Sequence, residues 1–218
     1  MHRFFIIYSA TIITSLLAFL GYSYLYLAES QWIELGSETG AFERLSAVTF
    51  AFISAFVFYM FYQTKEKIHF IFASLMALAS MREMGLHRAW TTDSILKLRF
   101  YTGDDAPLLE KIIGVVVIMF IIYAGFQMLK KLPYWIGSLL KFNPMAWMIG
   151  FGLGLLTFAK LIDSMSRVLP FLANFHTENR SFLTVIEEGM EMTAALFFAG
   201  VAIMVFKTNQ QRRQGQPQ

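Results

Sequence analysis

The sequence predicts an all-α polytopic membrane protein, a bundle of six transmembrane helices with both termini cytoplasmic. Composition, segment length and loop charge carry that expectation. Of 218 residues, 56% are hydrophobic and only 15% charged, with a mean hydropathy of +0.53, far too apolar for an ordinary soluble domain. Six apolar segments are long enough, or nearly so, to cross a hydrocarbon core of about 30 Å at about 1.5 Å per residue. The connections between them alternate between basic and acidic. The 23 Phe and 13 Met suit a lipid-facing surface, and the absence of cysteine excludes disulfides, thiolate metal sites and cysteine nucleophiles.

Taken in order, the first segment runs from Phe4 to Leu27. Arg3 ahead of it resembles the start of a signal peptide, but the run is too long, and Tyr22, Tyr24 and Tyr26 stand where cleavage requires small residues. The second, Leu45 to Tyr62, carries no charge, whereas the third, Ile68 to Leu86, carries Arg82 and Glu83. The fourth, Ile112 to Met128, is the shortest. The fifth, Ala146 to Leu169, contains Gly150, Gly152 and Gly154, which within an apolar span signal a close helix contact, not a phosphate loop. The sixth runs from Phe182 to Phe206. Residues 1–207 thus form one transmembrane domain, and 208–218 read as a disordered cytoplasmic tail.

Orientation follows from the loops. Arg3, Lys65, Lys67, Lys130, Lys131, Lys141, Lys207, Arg212 and Arg213 fall on one side, where Glu66 is the only acid. That side is expected to be cytoplasmic, in an inner (plasma) membrane. The opposite loops hold nine acids, among them Glu29, Glu34, Glu43, Asp104 and Glu178, against six bases. The basic residues gather in short loops beside helix ends, which is topology and not nucleic-acid binding. Two surface helices are expected as well: an outward interfacial one within Arg88 to Lys111, started by Thr91, Thr92 and Asp93 and anchored by Trp90 and Tyr101, and a cytoplasmic one in Leu132 to Phe142.

Eight charged residues lie inside the spans: Arg82 and Glu83 in the third, Lys160, Asp163 and Arg167 in the fifth, and Glu187, Glu188 and Glu191 in the sixth. An ionisable group in hydrocarbon costs several kcal/mol unless it pairs, meets water or faces the bundle interior, so each is a candidate site residue. The topology puts them at one depth. Asp163 lies roughly 9 Å and Lys160 roughly 14 Å below the outer boundary, with Glu187 and Glu191 roughly 8 to 14 Å below it. Spacing adds direction, for Lys160, Asp163, Ser164 and Arg167 form one helical stripe, while Glu187 and Glu191 stand one turn apart with Glu188 flanking them. Glu83 and His87 repeat the one-turn spacing. Five acids against three bases approach neutrality once His87 or a bound cation is added.

Glu83, His87, Asp163, Glu187 and Glu191 form a candidate ligand set for a divalent metal ion, since carboxylates with one imidazole suit Mn, Fe or Zn with a position open for water. The same residues also fit a buried ion-pair network in which Arg82, Lys160 and Arg167 neutralise the acids. Haem fails on reach, because His69 and His87 stand about 27 Å apart on one helix and neither His2 nor His176 lies within a helix. The Met residues at 81, 84, 165, 190 and 192 read as core filler rather than a copper site. The expected function is a lipid-modifying or hydrolytic membrane enzyme acting on a lipid or lipid-linked substrate in the outer leaflet. In it Glu187, Glu191 and Asp163 serve as base or ligand, and Arg82, Lys160 and Arg167 steady an anionic group. The alternatives are a proton- or cation-coupled transporter and an accessory protein whose charges are structural. The cytoplasmic halves of all six segments lack acids and bases, which favours a one-sided site over a carrier.

Overall fold

In a computed structural model, which describes residues 2–37, 40–86, 95, 97–103, 106–165, 171 and 173–214, the described residues form ten α-helices and no strand. They are α1 (His2–Tyr26), α2 (Glu29–Leu35), α3 (Ala41–Thr64), α4 (Lys67–Glu83), α5 (Leu98–Thr102), α6 (Leu108–Leu129), α7 (Leu132–Leu140), α8 (Pro144–Asp163), α9 (Ala173–Glu178) and α10 (Arg180–Arg213). Five of them, α1, α3, α6, α8 and α10, are long and apolar enough to cross a membrane. The remaining predicted span corresponds to α4, whose 17 residues rise about 25 Å.

Burial ranks these helices. In α10, 61% of the apolar stretch is buried inside the protein, against 6% in α1 and 11% in α6, so α10 is the axis and the other two face outward. Around it pack α1, α2, α3 and α8, with α4 against α3. Small residues make the close approach possible. A Cβ at Gly200 of α10 would overlap Met148 of α8 and lie 2.7 Å from the Tyr8 ring of α1, and a Cβ at Gly152 of α8 would lie 2.9 Å from the Phe198 ring. Of the three glycines expected at a helix contact, Gly152 therefore meets α10 and Gly150 faces Trp135 and Leu139 of α7, while Gly154 has nothing within 4 Å.

Hydrogen bonds add direction to this packing. The Tyr8 hydroxyl donates to the Leu196 carbonyl at 2.7 Å, tying α1 to α10. Within the α3/α4 hairpin, Ser54 donates to Ala73 O at 2.9 Å and Ser80 to Ala47 O at 2.8 Å, a pairing that makes the two helices antiparallel. The turn between them is closed by Lys65, whose φ of 57° is left-handed and whose ammonium lies 4.4 Å from the Tyr62 ring centroid. At the same end Lys207 sits over the Phe4 ring and Arg213 donates to Gln63 O, so the first turn of α1 and the last turns of α3 and α10 meet there.

Local signals fix the other boundaries. α8 begins where Asn143 caps Met145 and Ala146 through its side-chain oxygen, with Pro144 in the first turn. α7 is the expected surface helix: Trp135 donates to Ala146 O and Trp147 to Leu139 O, fastening it to α8, while Tyr134 and Leu140 are exposed. The expected outward helix is represented by the short α5, and Trp90, Thr91, Thr92 and Asp93 lie outside the described residues. Helix α10 continues to Arg213, well past Phe206, through the start of the segment expected to be a tail.

Candidate functional site

At the end of the bundle opposite Lys207 and Gln63, four helices bring charged turns together. They are the first turns of α3, the last turns of α4 and α8, and the first turns of α10. Helix α4 stops there because Gly85 takes a φ of +63° just beyond the Met84 cap. Its last turn thus carries Arg82 and Glu83 to the rim. Helix α8 ends at Asp163, where the Ser164 hydroxyl donates back to Lys160 O at 2.6 Å. Between these elements lies a cavity of about 1270 Å³ lined by six carboxylates (Glu43, Glu83, Asp163, Glu187, Glu188 and Glu191) and by Arg44, Arg82, Lys160 and Arg180.

A chain of ion pairs runs through it. Glu191, 3% exposed, is the centre. Arg82 Nη2 donates to its Oε2 at 2.9 Å, and Lys160 Nζ lies 2.8 Å from its Oε1. The same Arg82 nitrogen is 3.0 Å from Glu83 Oε1, and Lys160 also donates to Glu187 Oε1 at 2.8 Å. Ser46 of α3 donates to Glu83 Oε2 at 3.3 Å. In this order Glu83, Arg82, Glu191, Lys160 and Glu187 link α4, α10 and α8. The acids are the buried members, and the two bases are half exposed toward the opening.

Glu188 stands apart from that chain. One carboxylate oxygen each from Glu83, Glu188 and Glu191 lie within 4.8 Å of one another, a spacing able to converge on a cation. Among the described residues no base lies within ion-pair distance of Glu188. Arg82 already meets two of the three, Glu83 and Glu191, so Glu188 is the carboxylate left to attract a further positive group. Further along α3, α4 and α10 from the cavity lies a buried apolar cluster, Phe50, Ile53, Val57, Met76, Ala194 and Phe198 among it.

Six of the residues expected at the site, Arg82, Glu83, Lys160, Asp163, Glu187 and Glu191, line this one cavity. His87 and Arg167 lie outside the described residues. Glu188, expected only to flank its neighbours, belongs with Glu83 and Glu191, whereas Glu187 turns to Lys160. Residues 187 and 188 both lie within one turn of 191, and the choice is made by which neighbouring helix each meets. Sequence reasoning also missed Glu43 and Arg44, because α3 starts at Ala41 rather than Leu45 and draws them from a loop into its first turn. His176, which falls within α9 and not in a loop as expected, and Arg180, the first residue of α10, complete the mouth. The N-cap Gly40 was the available signal for the earlier start.

The residues set aside as non-catalytic sit elsewhere or play packing roles. His69 is buried near the opposite end with its Nδ1 2.8 Å from the Thr64 hydroxyl, a satisfied structural histidine. Of the five methionines considered for copper, Met84 alone lines the cavity. Comparison with protein families, curated proteins and solved structures gives no match for this chain, so its function rests on this geometry alone.

Proposed function

We propose that the chain is a six-span inner-membrane enzyme whose outward-facing carboxylate site acts on a lipid or lipid-linked substrate. The α4 helix is its sixth crossing, and both termini are cytoplasmic, in keeping with the basic residues gathered where the ends of α1, α3 and α10 meet. Reporter fusions after Lys67 and Lys141 should read cytoplasm and one near Glu178 the outside; an outside signal at Lys141 would overturn this topology.

The observation that carries the proposal is Glu188, a carboxylate held against Glu83 and Glu191 without an ion-pair partner among the described residues. Among the described residues, six carboxylates against four bases leave the cavity lining two negative charges in excess, the charge of one divalent cation. Metal–oxygen bonds of about 2.1 Å hold two donors no more than about 4.2 Å apart, so the trio must draw in only slightly to bind Mn, Fe or Zn. A metal held there leaves positions open for water or a substrate oxygen. Glu187 and Asp163 then stand nearby as bases, and Arg82 and Lys160 steady a developing negative charge. The buried apolar cluster beyond the cavity favours an enzyme over a carrier, which needs access from both faces.

Elemental analysis of the purified protein tests the reading. Stoichiometric metal in the wild type that is lost in Glu188→Gln supports it, together with loss of function in a lipid-profile comparison against the deletion strain. Metal-free protein whose Glu188→Gln variant fully complements the deletion returns these charges to a structural role.

A further inference from the structure

Two bases of the cavity take no part in the ion-pair chain. Arg44 of α3 and Arg180 of α10 line the same opening, both are exposed, and among the described residues neither has a carboxylate within ion-pair distance, although six carboxylates line that cavity. Left unpaired in acidic surroundings, they are available to an incoming anion. Their setting makes that availability costly. Arg44 lies in the first turn of α3 and Arg180 is the first residue of α10, where the helix dipole disfavours a cation. Both also belong to the side of the protein where acids outnumber bases. A bound anion relieves all of these penalties at once.

The cavity is layered accordingly. Glu83 and Glu191 are buried at its floor, Arg82 and Lys160 are half exposed above them, and Arg44 and Arg180 stand at the mouth. The mouth lies at the ends of the spanning helices α3, α8 and α10, the level of lipid headgroups. Guanidinium groups present planar paired donors that match phosphate oxygens. We infer that Arg44 and Arg180 clamp the phosphate of a lipid headgroup and hold it over the carboxylate floor. This rests on the reading of the cavity as a lipid-substrate site and supplies the substrate class, a phosphate-bearing lipid.

The test is isothermal titration of the full-length protein in detergent with dioctanoyl phosphatidic acid, dioctanoylglycerol and inorganic phosphate. Phosphatidic acid should bind, and dioctanoylglycerol at least roughly tenfold more weakly, because only the former offers oxygens to the clamp. Arg44→Gln and Arg180→Gln should each weaken phosphatidic acid about tenfold, and Arg180→Lys should recover only part of the loss, since an ammonium lacks the paired geometry. Melting temperatures should stay at the wild-type value, as neither arginine has an ion pair among the described residues. A double Gln variant that binds within about twofold of wild type overturns the clamp, as does wild-type protein that fails to prefer the phosphatidic acid. Inorganic phosphate binding as tightly as the lipid overturns the lipid source and assigns the arginines to a soluble phosphate compound. Metal content, measured on the same samples, keeps the two proposals separate: metal without phosphate selectivity leaves the carboxylate centre standing, and selectivity without metal leaves the clamp standing.

Discussion

The two halves of α10 hold their neighbours in opposite ways. From Ala194 to Met204 most of its small and apolar residues are buried, Ile203 being exposed, with Gly200 against Met148 and Tyr8, and Phe198 against Gly152. From Arg180 to Glu191 the same helix faces an open cavity, and its ties to α4 and α8 run through Arg82 and Lys160. Lipid tails are as apolar as leucine, so close packing and hydrogen bonds, not water exclusion, hold helices together in a membrane. Rigidity and chemistry are thus separated along one helix. The packed half fixes where the helices cross, and the open half can then hold like charges close together, which no isolated helix pair would tolerate.

The largest effect should come from breaking the packed half. A side chain at Gly200 has no space, because its first carbon already overlaps Met148 and crowds Tyr8. Gly200→Val should therefore destabilise by about 3 kcal/mol, read as a clear fall in the melting temperature in detergent. Gly154→Val is the matched control, since a Cβ there has nothing within 4 Å to meet. Equal melting of the two variants would show that the glycine contact does not organise the bundle.

That contrast also marks what was legible in the sequence. The apolar segments, their approximate ends and the contact at Gly152 follow from composition, length and small-residue spacing, which are properties of one helix at a time. The gathering of Arg82, Glu83, Lys160, Asp163, Glu187 and Glu191 in one cavity also follows, because span lengths and alternating topology fix depth. The partner of each acid does not follow. Glu187 meets Lys160 of α8 while Glu188 meets Glu83 of α4, a distinction set by the order of helices around α10, which hydropathy along a single chain does not encode. Arg44 and Arg180 were hidden for a related reason, since helix ends are where apolar periodicity fades and boundaries shift by several residues.

An intermediate effect is expected at Glu191, the acid that joins both bases. Removing one partner of a fully buried pair costs about 3 to 5 kcal/mol. Here Arg82 keeps Glu83, Lys160 keeps Glu187, and both bases are half exposed and screened by solvent. Glu191→Gln should accordingly cost about 1 to 2 kcal/mol, less than the glycine variant and still resolvable as an earlier melt. A melting curve indistinguishable from wild type would mean that the ion-pair chain contributes nothing to holding α4 and α8 on α10.

The smallest effect on stability, and the sharpest on function, belongs to Glu188. Its carboxylate shares a site with those of Glu83 and Glu191 and has no ion pair among the described residues, so its charge opposes folding through repulsion instead of supporting it. Neutralising it keeps the side-chain volume and removes that repulsion. With metal stripped from both proteins by a chelator, Glu188→Gln should melt at the wild-type temperature or slightly above, a gain of at most about 1 kcal/mol, the pattern of a site residue that costs stability for the sake of activity. The same variant should lose the metal and fail to complement the deletion strain. Early melting with full complementation would place Glu188 among the bracing residues, and the distinction between the two halves of α10 would then be one of chemistry alone, with both halves serving as scaffold.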